Sequence, residues 1–335
     1  MSGKMYRAGV IGMGNMGRTH TNNLLCMPDV ELKALCSHPI DDAKRYAEEK
    51  KLNPSLYDDG FELIEKEQLD LLYICLPPFA HSGQLEAAAA KGIHVFIEKP
   101  IALTVSRGKS MVKAARSAGI HTQVGYHMRY GGAVKRLKEE IASGKAGMPT
   151  LFTARYECNS LHTSWWIDVT KCGGQVFEQV IHLYDMALYF MGAPHMVSGF
   201  TANLQHQDTP GYTVEDTSVS AICFANGALG SISGSNCAAP GEWNATFRIV
   251  CEKLIADFTD PGHATFTYTD GPEKRMEVLS FHDDLMQQED MYFLDVVRGK
   301  KKPFATIGEG YLGLQMVGAV VESSHMGGTS IKLNA

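Results

Sequence analysis

Three glycines near the start of the chain restrict its fold more than any other feature. Gly12, Gly14 and Gly17 follow an apolar run over residues 5–11 and precede a helical pattern over residues 15–26. In that setting the first glycine permits a tight turn. The second lets a pyrophosphate approach the backbone, and the third lets the helix pack close to the strand. The free N–H groups and partial positive charge of the first helical turn complete an anion site. Gly12, Met13, Gly14, Asn15 and Met16 are therefore the expected cofactor contacts.

The pattern around this turn supports the reading. Strand-like runs at 30–36, 69–76, 93–97 and 120–124 alternate with helical stretches at 41–50, 82–91 and 104–118. Such βαβ alternation makes a doubly wound parallel sheet. After about residue 125 the pattern changes. An alternating strand is expected over 151–158 and a helix over 175–191. The helix is followed by alternating strands at 196–204, 217–224, 228–233, 245–251 and 264–268, with Asn226-Gly227 as a hairpin turn. Two helices close the chain. The 335 residues thus read as an α/β Rossmann domain, 1–125, and an α+β domain, 126–335, with a large, mostly antiparallel open sheet.

Composition excludes several function classes. A net charge of -6 with no basic block argues against a nucleic-acid partner. No apolar run is long enough to span a bilayer, and the first residues lack a signal-type segment. The eight cysteines form no CxxC pair and suit buried free thiols in a cytoplasmic protein.

Two groups of residues point to chemistry. Glu98-Lys99-Pro100 ends a strand of the parallel sheet, where ligands of such sheets bind. A lysine there is placed to hydrogen-bond a substrate hydroxyl; a solvated loop lysine is the bland alternative. The second group is Gly173-Gly174 followed by Glu178, His182 and Asp185, which helical spacing puts on one face. A histidine flanked by acids suits proton transfer near neutral pH, or is a satisfied core histidine. Zinc is not expected, because no second His/Cys cluster supports three ligands from one helix. Leu76, Pro77 and His81 lie at a third strand end, beside the cofactor or as a helix cap. Tyr126, Arg129, Trp165 and Trp166 are candidate substrate contacts, the tryptophans by stacking on a sugar ring or as core.

Together these residues resemble the glucose–fructose oxidoreductase / inositol dehydrogenase (Gfo/Idh/MocA) family over nearly the whole chain. The resemblance implies hydride transfer between a nicotinamide and a secondary hydroxyl or ketone of a sugar, cyclitol or related polyol. It implies that Lys99 holds substrate and nicotinamide, that His182 is the general acid/base, and that Glu178 assists or binds substrate. It also implies a homo-oligomer, dimer or tetramer, formed through the second sheet. The family includes redox-assisted glycosidases and non-catalytic sugar sensors, which stand as alternatives. Three positions depart from the family pattern: Glu178 replaces Asp, Val180 replaces Gly, and Pro78 replaces Asn. The second strand ends in Cys36-Ser37-His38, without the carboxylate that selects NAD. Ser37 and His38 therefore leave NAD and NADP both open, with a slight balance toward NADP.

Overall fold

The computed structural model describes residues 4–273 and 275–333. In chain order the elements are β1 (Tyr6–Ile11), α1 (Asn15–Leu25), β2 (Val30–Cys36), α2 (Asp41–Lys50), β3 (Ser55–Tyr57), α3 (Gly60–Lys66), β4 (Leu71–Ile74), α4 (Gln84–Ala90), β5 (His94–Ile97), α5 (Val105–Ala118) and β6 (Thr122–Val124). Then follow α6 (Gly132–Ala142), β7 (Pro149–Cys158), α7 (Val169–Cys172), a π-helical turn (Val176–Val180), α8 (Ile181–Met191), β8 (Pro194–Ala202), β9 (Thr217–Phe224), β10 (Leu229–Ser235), β11 (Trp243–Cys251), β12 (Leu254–Asp260), β13 (His263–Tyr268) and β14 (Arg275–Ser280). The chain closes with α9 (Leu285–Val297), α10 (Ile307–His325) and β15 (Ile331–Lys332). Among the described residues no helix is long and apolar enough to cross a membrane.

The chain divides into two units. The first comprises Met1–Ala102, Ser106–Gly125 and Met286–Tyr311. Its six-stranded sheet runs β3-β2-β1-β4-β5-β6, every neighbouring pair parallel. This order reverses direction at β1, where β2 lies on one side and β4 on the other, so a crevice opens at their carboxyl ends. All four residues of β4 are buried, as expected for a strand covered on both faces. The change of pattern at residue 125 puts the whole of 126–335 in the second domain. Met286–Tyr311 instead belongs to the first unit. Phe293 and Leu294 of α9 pack into the cluster formed by Val10, Leu35, Leu71, Tyr73 and Phe96. Apolar spacing had identified the helix but not the core it completes.

The second unit comprises Leu103–Val105, Tyr126–Leu285 and Leu312–Ala335. Its nine-stranded sheet runs β14-β13-β12-β11-β7-β10-β9-β8-β15. Among the described residues, only β7 and β10 of this sheet pair in parallel. The hairpin expected at Asn226-Gly227 joins β9 to β10, with Gly227 at φ +89°. Strands β12, β14 and β15 and helices α6 and α7 were not expected, although α6 is amphipathic, with Ala133, Val134 and Leu137 buried, and β12 alternates, with Leu254, Ala256 and Phe258 buried. The helix expected over 175–191 is interrupted: its first turn is π-helical.

Candidate active site

In the first unit the glycine turn has the geometry its spacing requires. Gly12 has φ +97°, and a Cβ on it would lie 2.3 Å from the Cys75 carbonyl oxygen. A Cβ on Gly17 would lie 1.7 Å from the Gly12 oxygen, so strand and helix meet with no side chain between them. Gly14 is different: a Cβ there meets nothing within 4 Å. Gly14 caps α1, no side chain caps the helix in its place, and Asn15 beside it is exposed. This open helix N-terminus fits a pyrophosphate. Met13 turns its side chain into the core and leaves only backbone for a ligand.

A cleft of about 440 Å³ adjoins this turn. The expected residues Gly12, Ser37, His38 and Leu76 line it. So do Asp58, Asp59 and Gln84, which sequence reasoning missed. The two aspartates follow β3, a strand of three residues that is too short to read from periodicity. Ser37 is not available in the way expected. Its hydroxyl donates to the Pro39 oxygen (2.8 Å) and accepts from the Ala43 N–H (2.9 Å). Lys44 and Arg45, the nearest cations in sequence, pair with Asp41 and Asp42.

Lys99 follows β5 and is half-buried, with a cis bond to Pro100. Glu98 is buried, and its Oε1 lies 3.0 Å from His20 Nε2 while Oε2 accepts the Lys99 N–H at 3.2 Å. Its side chain is thus engaged within the protein rather than by a cofactor. His81 is buried as well. Nδ1 lies 2.8 Å from the Ile101 oxygen and Nε2 3.0 Å from the Leu76 oxygen. Burial pushes its pKa below the ordinary imidazole value. The ring links two backbone turns, which matches the capping alternative better than ligand contact. Pro77 precedes the short 3₁₀ turn Pro78–Ala80.

In the second unit two adjacent glycines open the helix that carries Glu178 and His182. Gly173 (φ +85°) ends α7. Gly174 (φ +110°) leaves room for Glu215, whose Oε2 would lie 2.4 Å from a Cβ at that position. Glu215 accepts the Val176 N–H at 2.7 Å and so caps the π-helical turn. Burial pushes its pKa from 4.5 to about 7. π-helical turns inside helices are frequent at functional sites. Glu178 sits in the middle of this one, with its Oε2 accepting from Trp166 Nε1 at 2.8 Å. His182 opens α8, its ring edge-on to Tyr126 and His127 at centroid distances of 6.4 and 4.6 Å. Gln179 Nε2 lies 2.6 Å from His162 Nε2, and the His162 ring packs on Trp166 and Trp243.

Three expected substrate contacts are placed otherwise. Trp166 is buried with Cys172, Tyr212 and Val214, so only its N–H reaches the site, through Glu178. Trp165 packs against the same cluster but stays partly exposed. Arg129 is 1% exposed and binds both Asp185 oxygens, with bonds of 2.6, 2.9 and 3.1 Å. A guanidinium closed off in this way holds α8 rather than a substrate. Asp185 is correspondingly removed from the catalytic face that helical spacing gave it. Tyr126 is also buried; a Cβ on Gly313 would lie 2.9 Å from its hydroxyl.

Comparisons with known proteins agree with this architecture. A family model described as "Oxidoreductase family, NAD-binding Rossmann fold" matches residues 6–126, and the GFO/IDH/MocA C-terminal domain matches residues 134–256. The D-glucoside 3-dehydrogenase of Escherichia coli is 27% identical over 349 residues, covering 98% of this chain and 97% of that protein. The myo-inositol 2-dehydrogenase of Thermotoga maritima is 31% identical over 236 residues, 70% of each chain. A levoglucosan dehydrogenase solved with NADH and levoglucosan superposes with a TM-score of 0.89 at 20% identity, covering 99% of this chain and all of that one.

Proposed function

The chain belongs to the GFO/IDH/MocA oxidoreductase family, and from that premise we propose that it oxidises a secondary hydroxyl of a sugar, cyclitol or related polyol, or reduces the matching ketone, with NAD as hydride carrier. The observation that carries this reading is the Gly12–Gly17 turn: Gly14 leaves space at an uncapped helix N-terminus. Bound nicotinamide supplies the acceptor for the hydride leaving the carbinol carbon.

The chain's own residues do the rest. His182 takes the hydroxyl proton as the C–H electron pair departs, and returns it in the reverse direction. Lys99 hydrogen-bonds the hydroxyl oxygen and stabilises the negative charge that develops on it. Glu178, aimed by the Trp166 N–H, accepts from a neighbouring substrate hydroxyl. Screening sugars, cyclitols and keto-sugars while following reduced-nicotinamide absorbance tests the proposal. On the best substrate, Lys99→Ala and His182→Ala are each expected to lower turnover by about 10²–10⁴-fold. Turnover that survives either change refutes that residue's role. Glycoside cleavage with no net cofactor change points to redox-assisted hydrolysis.

The lining of the cleft supports NAD over NADP, against the balance that sequence suggested. Asp58 and Asp59 line it, no lysine or arginine among the described residues does, and the Ser37 hydroxyl is already engaged. A 2′-phosphate there meets carboxylates without a counter-charge. Fluorescence titration with both cofactors decides this, and tighter NADP binding overturns it.

We also infer assembly through the open face of the second sheet. The strand register places Phe200, Val219, Leu229, Leu151, Met276 and Val278 on one face, and all are exposed. The same register puts Arg155, Ser231, Ser233, Thr246, Arg248 and Asp257 on this face, and an exposed face that mixes apolar and charged residues in this way is suited to burial against a second copy. Light scattering tests it: a monomer at working concentration rejects it, and Val219→Glu is expected to shift an oligomer toward monomer.

A further inference from the structure

A closed polar cluster lies beside Lys99, and neither the cofactor turn nor the proton transfer accounts for it. His20, on α1, is fully buried. Its Nε2 faces Glu98 Oε1 at 3.0 Å, and its Nδ1 faces both Asp290 oxygens at 2.8 and 3.0 Å. Asn23 donates to Asp290 Oδ2 at 2.7 Å. The ring packs against Phe96 and Tyr73, with centroids 4.6 and 5.6 Å away. An imidazole with a carboxylate on each nitrogen satisfies both only when doubly protonated. Burial alone would pull its pKa down. Asp290 and Glu98 outweigh that and hold it well above 6.5.

The remaining titratable neighbours are Glu289, Cys75 and Tyr73. Glu289 is fully buried, and among the described residues neither of its carboxyl oxygens has a partner. Burial pushes it well above the carboxylate range, as burial also raises the Cys75 thiol and the Tyr73 hydroxyl. Burial raises Asp290 as well, against the lowering effect of the His20 charge and of the hydrogen bonds from His20 and Asn23. On its other side Glu98 Oε2 takes the Lys99 N–H, and Gly125 provides the space for this carboxylate to cross: a Cβ there would lie 2.8 Å from Glu98 Oε1. One chain of bonds thus runs from α9 through the cofactor-turn helix to the Lys99 backbone.

We propose that His20 is a positioning residue for Lys99, tying the Glu98-Lys99-Pro100 turn to the helix whose N-terminus receives the cofactor phosphates. Cofactor and lysine then share one rigid reference. This rests on the role given to Lys99 above. Glu98 transmits the constraint, and Asp290 fixes the other side of the ring.

The test uses the full chain carrying His20→Gln, with Glu98→Gln as a second variant that preserves shape while removing the charge. Three readouts are taken: NAD affinity, the rate at which trinitrobenzenesulfonate labels Lys99 in the presence of NAD (by peptide mass spectrometry), and steady-state kinetics on the best polyol. The expected result is NAD affinity close to wild type, an altered Lys99 labelling rate with second-unit lysines unchanged, and kcat lower by about 100-fold with KM little moved. A merely structural role shifts melting without changing Lys99 labelling in the folded variant, and that outcome overturns the proposal. The labelling readout needs no turnover. If Lys99→Ala stays active, the functional reading fails while the labelling result still decides whether His20 places the lysine. His20, Glu98 and Glu289 also present ligand atoms within 4.8 Å of one another. A stoichiometric metal in the purified protein would make this a cation site and refute the positioning role.

Discussion

In the first unit the buried charge next to Lys99 is an imidazole held between Glu98 and Asp290; in the second, the buried charge one turn beyond His182 is a guanidinium on Asp185. Both hold in place an element that carries a candidate catalytic side chain, but their chemistry differs. The imidazolium exists only while two carboxylates hold its proton. Arginine keeps its charge at every accessible pH and meets the carboxylate with a planar fork. The first arrangement is therefore linked to pH and the second is not.

The largest expected effect follows from breaking the second pair. Arg129→Leu or Asp185→Asn leaves a buried group without its partner and is expected to cost about 3–5 kcal/mol. All three tryptophans, Trp165, Trp166 and Trp243, lie in the second unit, so tryptophan fluorescence during urea unfolding reports on it selectively. From neutral pH upward the penalty should stay constant. A penalty that fades with alkaline pH would remove the contrast with the first unit.

The first pair should behave in the opposite way. His20 has a folded-state pKa well above the ordinary 6.5. Its contribution is therefore complete below 6.5 and is lost as pH rises through the folded value. The destabilisation caused by His20→Gln is expected to be largest near pH 6 and to shrink in alkali, measured by unfolding at a series of pH values. A pH-independent penalty would mean that the ring is held neutral.

How far sequence reaches into this fold depends on the range of the interaction. The glycine spacing and the apolar runs are local, so β1, α1, β2 and the parallel sheet were legible. Lys99, Glu178 and His182 were flagged because their residue types and spacing carry a meaning of their own. The link from His20 to Asp290 spans 270 positions, and no periodicity announces it. Arg129 was misread, and Trp166 left open between sugar stacking and core, for a different reason. Sequence gives an amphipathic side chain but not which end is buried, and here the indole body and the whole guanidinium are. Glu215 was missed because it sits between a loop and β9, with no motif of its own.

The glycine turns extend the comparison. At Gly14 the absent side chain leaves space for a ligand; at Gly174 it leaves space for the protein's own Glu215. Gly174→Ala forces a Cβ into a φ of +110° and against a carboxylate oxygen, an expected cost of about 1–3 kcal/mol. Part of that cost is the clash, so it should be smaller in a Glu215→Ala background. A double-mutant cycle on thermal unfolding measures the coupling. Strict additivity would show that backbone strain alone makes Gly174 necessary.

The smallest effect isolates the charge on Glu215. Its pKa rises from 4.5 to about 7 because burial disfavours the carboxylate more than the Val176 N–H stabilises it. Between those values the folded state binds more protons than the unfolded one, so this residue makes stability fall as pH rises from about 4.5 to 7. Glu215→Gln keeps a carbonyl oxygen for the Val176 N–H and removes the charge. The variant should therefore melt close to wild type in acid, gain on it as pH rises from about 4.5 to 7 and hold that gain above 7, a modest shift opposite in direction to that of Arg129→Leu. Because this cap opens the turn that carries Glu178, the pH dependence of kcat/KM should lose a step near 7 in the same variant. A stability gain without that change would separate the cap from the chemistry and confine Glu215 to holding the helix.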